Sequence, residues 1–261
     1  ALFFTLKDTP SSVGLPEIED PDKEEGKVNA DEAPASHPAD LTGPAFKKFI
    51  NKLVFANPLI WILAVSNFCI YVVRFTILDW GATFLTQYKG MEISTAGTVV
   101  AASELVGGIL GMLVAGWFTD KFMKSRAHRT CFICTVGATL SFFLFWKSPE
   151  GAPWLSALFI CLSSFFIYGP QALLGTAASQ QATKYACATA NGILGIFGYA
   201  STAISGVTFG YLADNYGWDS VFLVAVIIGL VGAAVVALMW KAPADGYEKA
   251  EKLMNDMKTQ N

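Results

Sequence analysis

Long apolar runs alternate with short polar stretches along most of the chain, and these runs determine the predicted architecture. Six runs are long enough for a helix that crosses a lipid bilayer, which requires about 20 residues. The polar stretches between them are short, so neighbouring helices should run antiparallel. The pattern predicts an all-α membrane protein with six transmembrane helices within residues 58–240, near Pro58–Leu85, Ser94–Phe118, Arg129–Trp146, Trp154–Ser179, Ala186–Ala213 and Trp218–Trp240.

The region before the first run has a different composition. Residues 7–57 are predicted to form an acidic cytoplasmic linker, because residues 7–46 carry ten acidic and three basic side chains and many Pro, Ala and Ser. Such a segment cannot bury a core, so it should be largely disordered. Within it, Phe46–Phe55 has an amphipathic pattern of apolar and basic positions, which predicts a short helix near 45–55 at the membrane surface.

Lysine and arginine residues collect on one side of the predicted bundle, and this bias predicts its orientation. In the loops between the spans, only Lys89 and Lys147 lie on the other side, and an excess of basic residues marks the cytoplasmic face. Both termini should therefore be cytoplasmic, with residues 1–6 as the end of a preceding transmembrane helix and residues 241–261 as a solvated tail. Twelve residues mark the cytoplasmic side: Lys47, Lys48, Lys52, Lys121, Lys124, Arg126, Arg129, Lys184, Lys241, Lys249, Lys252 and Lys258.

Composition supports a bilayer environment and excludes several function classes. The chain is 53% hydrophobic and 15% charged, whereas a soluble domain carries about 25% charged residues. Its net charge of −3 gives no case for nucleic acid as a partner. Cys131-x-x-Cys134 matches a metal or redox spacing, but no second Cys or His pair completes a zinc site, so packing is the expected role. His37 lies in the predicted linker and His128 in a basic loop, so no nucleophile–base set is indicated, and the sequence predicts no enzyme, metal or cofactor.

Arg74 is the most informative residue because it lies near the centre of the first predicted span. A guanidinium at bilayer depth costs about 2.5 to 17 kcal/mol, so such a residue normally faces a cavity and meets an anion there. The planar guanidinium group can donate two hydrogen bonds at once to a carboxylate or a phosphate. Asn67, Tyr71 and Arg74 are spaced i, i+4, i+7 and share one helical face. We expect this face to bind an anionic substrate.

Two acids at membrane depth have two open interpretations. Asp79 lies about 140° round the helix from Arg74, and Glu104 lies near the middle of the second span. They could pair with basic residues outside this chain and exchange partners during a conformational change, or form a static pair with Arg74 itself. Asp120 and Lys121 are predicted to stabilise one conformation at the cytoplasmic helix ends.

Similar sequence motifs lie at the ends of the second and fifth predicted spans. Gly116-x-x-x-Asp120 closes one and Gly210-x-x-x-Asp214 closes the other, and the charge bias places them on opposite sides of the membrane. Two inverted three-helix repeats predict this arrangement. Small-residue spacings such as Gly107-x-x-x-Gly111 and Gly206-x-x-x-Gly210 would also allow close contact between helices.

Four segments are specific enough to indicate a family: Tyr71–Trp80, Glu104–Gly108, Ile167–Gln171 and Phe197–Tyr199. With the six spans and the Gly116-x-x-x-Asp120-Lys121 loop, they resemble the C-terminal half of a major facilitator superfamily transporter, and in particular the organophosphate:phosphate antiporters. The resemblance implies one half of a twelve-helix fold. It also implies that Arg74 binds phosphate with a second arginine from an N-terminal six-helix half, and it places Tyr168 and Tyr199 at the site.

The resemblance therefore predicts half of an antiporter in a bacterial inner membrane. It would exchange an organic phosphate ester, such as a sugar phosphate or glycerol 3-phosphate, for inorganic phosphate by alternating access. The N-terminal half would be its partner. A membrane sensor that binds a sugar phosphate, or a facilitator for another organic anion, would use the same binding residues, and both alternatives stay open.

Overall fold

The computed structural model describes residues 44–149 and 152–259, and every regular element in these residues is helical. The predictions for residues 1–6 and for the linker up to residue 43 lie outside the described residues. Five helices are long and apolar enough to cross a membrane, where six were predicted. The elements are α1 (Pro44–Ile50), a π-helical turn (Asn51–Phe55), α2 (Pro58–Gln87), α3 (Ile93–Phe122), α4 (Ala127–Trp146), α5 (Pro153–Tyr216), α6 (Trp218–Ala237) and α7 (Tyr247–Thr259).

Helix α5 accounts for the different count, because one kinked helix stands where two separate spans were predicted. It is 64 residues long and is interrupted at Thr183, whose φ of 59° and ψ of 176° are not helical. A β-branched residue in this region is strained by about 1–3 kcal/mol. The kink divides α5 into a first arm (residues 153–182) and a second arm (184–216). The arms meet beside it, where Asn191 Nδ2 donates a hydrogen bond to Ser179 Oγ at 2.7 Å.

The start of α2 follows directly from its sequence. The side chain of Asn57 accepts a hydrogen bond from the backbone N–H of Leu59 at 3.3 Å, and Pro58 occupies the first helical position. Asparagine satisfies an otherwise unpaired N–H, and proline has no N–H to satisfy at that place. This cap fixes where the helix that carries Arg74 begins.

Helix α5 lies at the centre of the bundle and packs against α2, α3 and α4. Its closest approach is to α3, through the predicted Gly107-x-x-x-Gly111 spacing. A Cβ atom at Gly107 would lie 2.5 Å from the carbonyl oxygen of Cys161, and one at Gly111 would lie 2.1 Å from that of Phe165. Close backbone approach through small residues is a common packing mode in membranes. The second predicted spacing differs, since Gly206 faces open space and only Gly210 packs, against Trp80.

We expect Gly111→Ala to destabilise the bundle, because its new methyl group would collide with the backbone of α5. Overpacking costs about 1–3 kcal/mol when neighbours can shift, and a backbone carbonyl shifts less readily than a side chain. Gly97→Ala in the same helix is the matched control, since a Cβ atom there meets nothing within 4 Å. Thermal unfolding in detergent should give a lower midpoint for Gly111→Ala and an unchanged or higher one for Gly97→Ala. Equal midpoints would contradict the close packing of α3 on α5.

One end of the bundle, here called the aromatic end, is closed by packed rings. Phe84, Phe145 and Phe222 are fully buried, and the Phe84 ring centroid lies 4.3 Å from that of Phe222. Trp146 Nε1 donates to Asp219 at 2.7 Å, which ties the end of α4 to the start of α6. These contacts fix α2, α4 and α6 relative to one another.

The opposite end, here called the kink end, carries the short helices. In α1 and the π-helical turn, Phe49, Leu53 and Val54 are buried while the neighbouring lysines are exposed, so this segment is amphipathic. The Phe49 ring meets Tyr185 edge-on at 6.3 Å. The segment therefore packs its apolar side on the protein beside Thr183.

Helix α7 also packs on the kink end, although a solvated helix was predicted there. The backbone N–H of Gly246 donates to Gln180 at 3.0 Å, and Gln181 Nε2 donates to the carbonyl of Pro243 at 2.9 Å. Ala250 is only 1% exposed. One face of the tail helix is thus part of the core, and its opposite face carries the charges.

Candidate functional site

Arg74 lies in the middle of α2 and is half-buried among aromatic rings. Its Nη2 donates a hydrogen bond to Tyr168 Oη at 3.0 Å. The guanidinium carbon lies 4.8 Å from the ring centroid of Tyr168 and 5.3 Å from that of Phe75. Aromatic rings attract a cation through their negative faces. The aromatic contacts and the hydrogen bond hold the charge in place while leaving part of the guanidinium open.

Tyr168 links Arg74 to the buried acid of α3. Its hydroxyl donates to Glu104 Oε2 at 2.7 Å while it accepts from Arg74, so a cation, a phenol and a carboxylate form one chain. We call these three residues the Arg74 bridge. Gly108, one turn beyond Glu104, leaves room for the Tyr168 ring, since a Cβ atom there would lie 3.2 Å from it. Glu104 is therefore linked to Arg74 through the Tyr168 hydroxyl.

Tyr71 joins the same group through a residue of the first arm. Gln171 Nε2 donates to Tyr71 Oη at 3.2 Å, and the Arg74 guanidinium lies 5.9 Å from the Tyr71 ring centroid. Tyr71, Arg74, Tyr168 and Gln171 are all half-buried. Three predicted site residues, Tyr71, Arg74 and Tyr168, are thus brought together by α2 and the first arm of α5.

Asn67 has a different environment from Tyr71 and Arg74. It is 6% exposed, and its Nδ2 donates to the carbonyl oxygen of Leu194 in the second arm at 2.8 Å. Gly198 allows this contact, since a Cβ atom there would lie 2.9 Å from Asn67 Nδ2 and 3.2 Å from the Tyr71 ring. The amide of Asn67 therefore holds the second arm against α2 behind Tyr71.

The remaining predicted residues lie apart from the Arg74 bridge. Tyr199 follows Gly198 but turns outward, with 73% of its side chain exposed. Asp79 is exposed on α2. At the end of α3, Asp120 accepts a hydrogen bond from Ser125 Oγ at 3.5 Å, and Lys121 lies 5.0 Å from the Trp117 ring centroid. All four of these residues are exposed in the structure.

Two polar atoms at the site are buried without a hydrogen-bond partner among the residues that the structure describes. They are Arg74 Nε and Gln171 Oε1. A buried donor or acceptor without a partner costs about 1–3 kcal/mol. A cation with a spare donor, beside phenol hydroxyls and an amide, can bind an oxygen-rich anion. The sequence contained a signal for Gln171, because Tyr168-x-x-Gln171 places both residues on one helical face.

Comparisons with known proteins come from a family profile and from curated relatives. The profile described as Major Facilitator Superfamily matches residues 1–206. A probable hexose phosphate transport protein of Chlamydia trachomatis is 31% identical over 95% of this chain and 55% of its own length. The membrane sensor protein UhpC of Salmonella typhimurium is 31% identical over 95% and 54%, and the hexose-6-phosphate:phosphate antiporter of Escherichia coli is 27% identical over 94% and 53%. The chain thus spans about half the length of these relatives.

Proposed function

Because the chain belongs to the major facilitator superfamily, we propose that it is half of a transporter that exchanges an organic phosphate ester for inorganic phosphate. The observation that carries this proposal is the Arg74 bridge, which holds a partly open guanidinium at the centre of a membrane-crossing helix. Relatives named as hexose phosphate transporters and as a hexose-6-phosphate:phosphate antiporter support the choice of substrate class.

Phosphate would bind to Arg74, with tyrosine hydroxyls completing its hydrogen bonds. Arginine can donate two parallel hydrogen bonds to a phosphate. Arg74 Nε is buried without a hydrogen-bond partner among the described residues, and it would donate one of these two bonds. Tyr71 accepts from Gln171, so its own hydroxyl proton is free to donate to the ligand. Tyr199 faces outward and would add a hydroxyl once the second half of the transporter closes the cavity. Asn67 would serve by holding Tyr71 and the second arm in place.

Glu104 would compete with phosphate for Arg74. In the structure its carboxylate is linked to the guanidinium through the Tyr168 hydroxyl. A phosphate that binds Arg74 would therefore weaken the Arg74 bridge, and release of the phosphate would let the bridge re-form. Asp79, Asp120 and Lys121 would pair with the other half in one of the two openings.

We further propose that the spans form two inverted three-helix repeats. The kink at Thr183 supports this, because the first and second arms of α5 together with α2, α3, α4 and α6 make six crossings. The two similar motifs, Gly116-x-x-x-Asp120 and Gly210-x-x-x-Asp214, also lie at opposite ends of the bundle. Gln180 at the kink end donates to Ser125, just past the end of α3, whereas Trp218, just past the second arm, contacts Phe84 at the aromatic end.

The inverted arrangement and the basic bias predict the accessibility of single reporters. The complete transporter, with the five cysteines of this chain and any in its other half replaced, would carry one reporter cysteine at a time. Aromatic-end positions should react with an impermeant thiol reagent in intact cells, and kink-end positions only after permeabilisation. Reaction at a kink-end position in intact cells would overturn the orientation. The aromatic-end positions are Lys89, Lys147 and Asn215, and the kink-end positions are Lys124, Lys184 and Lys252.

Phosphate exchange in vesicles tests the proposal directly. Vesicles that hold the complete transporter and unlabelled phosphate should accumulate external labelled phosphate. Vesicles loaded with a sugar phosphate in place of unlabelled phosphate should accumulate it as well. Vesicles without internal anion should accumulate almost none. Saturable binding of a sugar phosphate without exchange would instead favour a sensor, the function for which the relative from Salmonella typhimurium is named. Exchange of carboxylates but not of phosphates would favour a facilitator for another anion.

A further inference from the structure

Gln171 carries an unused polar atom at the site, and this atom accepts hydrogen bonds but cannot donate them. Its Nε2 is engaged with Tyr71 Oη, and its Oε1 is buried without a hydrogen-bond partner among the described residues. A carbonyl oxygen only accepts hydrogen bonds. The phosphoryl oxygens of a phosphate monoester dianion also only accept, so this atom cannot bind the phosphoryl group of an ester held by Arg74.

The position of Gln171 places that oxygen beside the phosphate-binding group. Gln171 lies one turn beyond Tyr168 on the first arm, and it contacts the tyrosine that lies one turn before Arg74 on α2. A ligand whose phosphate lies on Arg74 would extend its organic part within reach of this region. The chemical groups of an organic phosphate ester that could satisfy a lone acceptor are hydroxyl groups.

We infer that Gln171 is a specificity-determining residue, which accepts a hydrogen bond from a hydroxyl on the organic part of the substrate and so favours hydroxylated phosphate esters over esters that lack hydroxyl groups. This inference rests on the proposed function. It adds that Gln171 recognises a hydroxyl on the organic part of the substrate. A buried polar group that is satisfied only by the correct ligand discriminates against ligands that lack the matching group. Tyr71 orients the amide, because the hydrogen bond from Gln171 Nε2 to Tyr71 Oη leaves Oε1 as the unpaired atom.

The test compares Gln171→Leu with the wild-type complete transporter in vesicles. Labelled phosphate self-exchange is measured while glucose 6-phosphate or cyclohexyl phosphate, which has no hydroxyl, is added as an unlabelled competitor. Gln171→Leu should raise the inhibition constant of glucose 6-phosphate about threefold to tenfold, the range for one net hydrogen bond. The inhibition constant of cyclohexyl phosphate and the apparent affinity for phosphate should change less than about twofold.

Gln180→Leu is the matched control, since Gln180 also has a buried Oε1 without a partner but lies at the kink end. It should leave all three constants unchanged. An unchanged constant for glucose 6-phosphate in Gln171→Leu, or an equal rise for all three ligands, would overturn the inference while phosphate exchange by the wild type keeps the proposed function. Absence of phosphate exchange by the wild type would overturn both.

A second measurement uses the wild type alone, in case Gln171→Leu does not fold. Glucose 6-phosphate analogues that each lack one hydroxyl are compared as competitors of phosphate self-exchange. One analogue should bind about threefold to tenfold more weakly than glucose 6-phosphate. If every analogue binds as tightly as glucose 6-phosphate, no substrate hydroxyl is recognised at this site and the assignment of Gln171 is wrong.

Discussion

Replacing Arg74 by lysine should reduce phosphate exchange by the complete transporter about 10- to 100-fold. Lysine keeps the positive charge but loses the planar fork and the Nε donor, which has no other partner among the described residues. A hydrogen bond between charged groups contributes about 1.5–3 kcal/mol, and each 1.4 kcal/mol is a factor of ten. The loss should appear mainly as weaker apparent affinity for phosphate, because phosphate binding itself is impaired.

Membrane insertion should survive this substitution, since the charge on α2 is unchanged and the helix packs through other residues. The amount of folded protein, measured by size-exclusion chromatography in detergent, separates lost binding from lost folding. Arg126→Lys is the matched control, because Arg126 lies in the turn between α3 and α4, far along the chain from the site. It should exchange phosphate normally. Wild-type affinity for phosphate in Arg74→Lys would rule out the proposed contact between Arg74 and the substrate.

The sequence alone suggested Arg74 and Tyr71 as site residues, because a charge at bilayer depth has few physical solutions. Arg74 had to face protein rather than lipid, and helical spacing placed Tyr71 on the same face. The family resemblance, carried by segments such as Tyr71–Trp80, is confirmed by the superfamily profile over residues 1–206. The all-helical membrane character is confirmed as well, with five long apolar helices in the described residues.

What the sequence did not predict depends on contacts between helices. Helical spacing placed Asn67 with Arg74, but a carbonyl of the second arm lies within reach of its amide and engages it. The bridging position of Tyr168 depends on how far α3 and the first arm approach, which is set by Gly107, Gly108 and Gly111.

The interval predicted between the fourth and fifth spans, residues 180–185, contains the break at Thr183, although no feature of the sequence identifies that residue itself. A β-branched residue is a poor choice for a positive φ, so no turn signal marks this position in the sequence. Tertiary contacts around it hold the strained backbone instead, including the hydrogen bond from Gly246 to the neighbouring Gln180. Local propensity therefore locates the loop only approximately.

Residues 1–261 expressed alone should be unstable in the membrane and should not transport. The site residues are only half-buried by this chain, and Asp79 and Tyr199 are exposed. If lipid covered this face, unsatisfied polar groups at bilayer depth would cost several kcal/mol. The chain should therefore aggregate or associate through that face, and vesicles containing it should show only background uptake of labelled phosphate.

Supplying an N-terminal six-helix half as a separate chain should restore both folding and exchange. The second half would cover the half-buried site and would contribute a further arginine beside the phosphate, as the family resemblance implies. The measurement compares melting midpoint and phosphate exchange for residues 1–261 alone, for the two chains expressed together, and for the two chains with Arg74→Lys. Together the chains should be stable and active, and the variant pair should be stable but weakly active. If residues 1–261 by themselves exchange phosphate, for instance as a homodimer, the site is complete within copies of this chain and the proposal of a half-transporter is wrong.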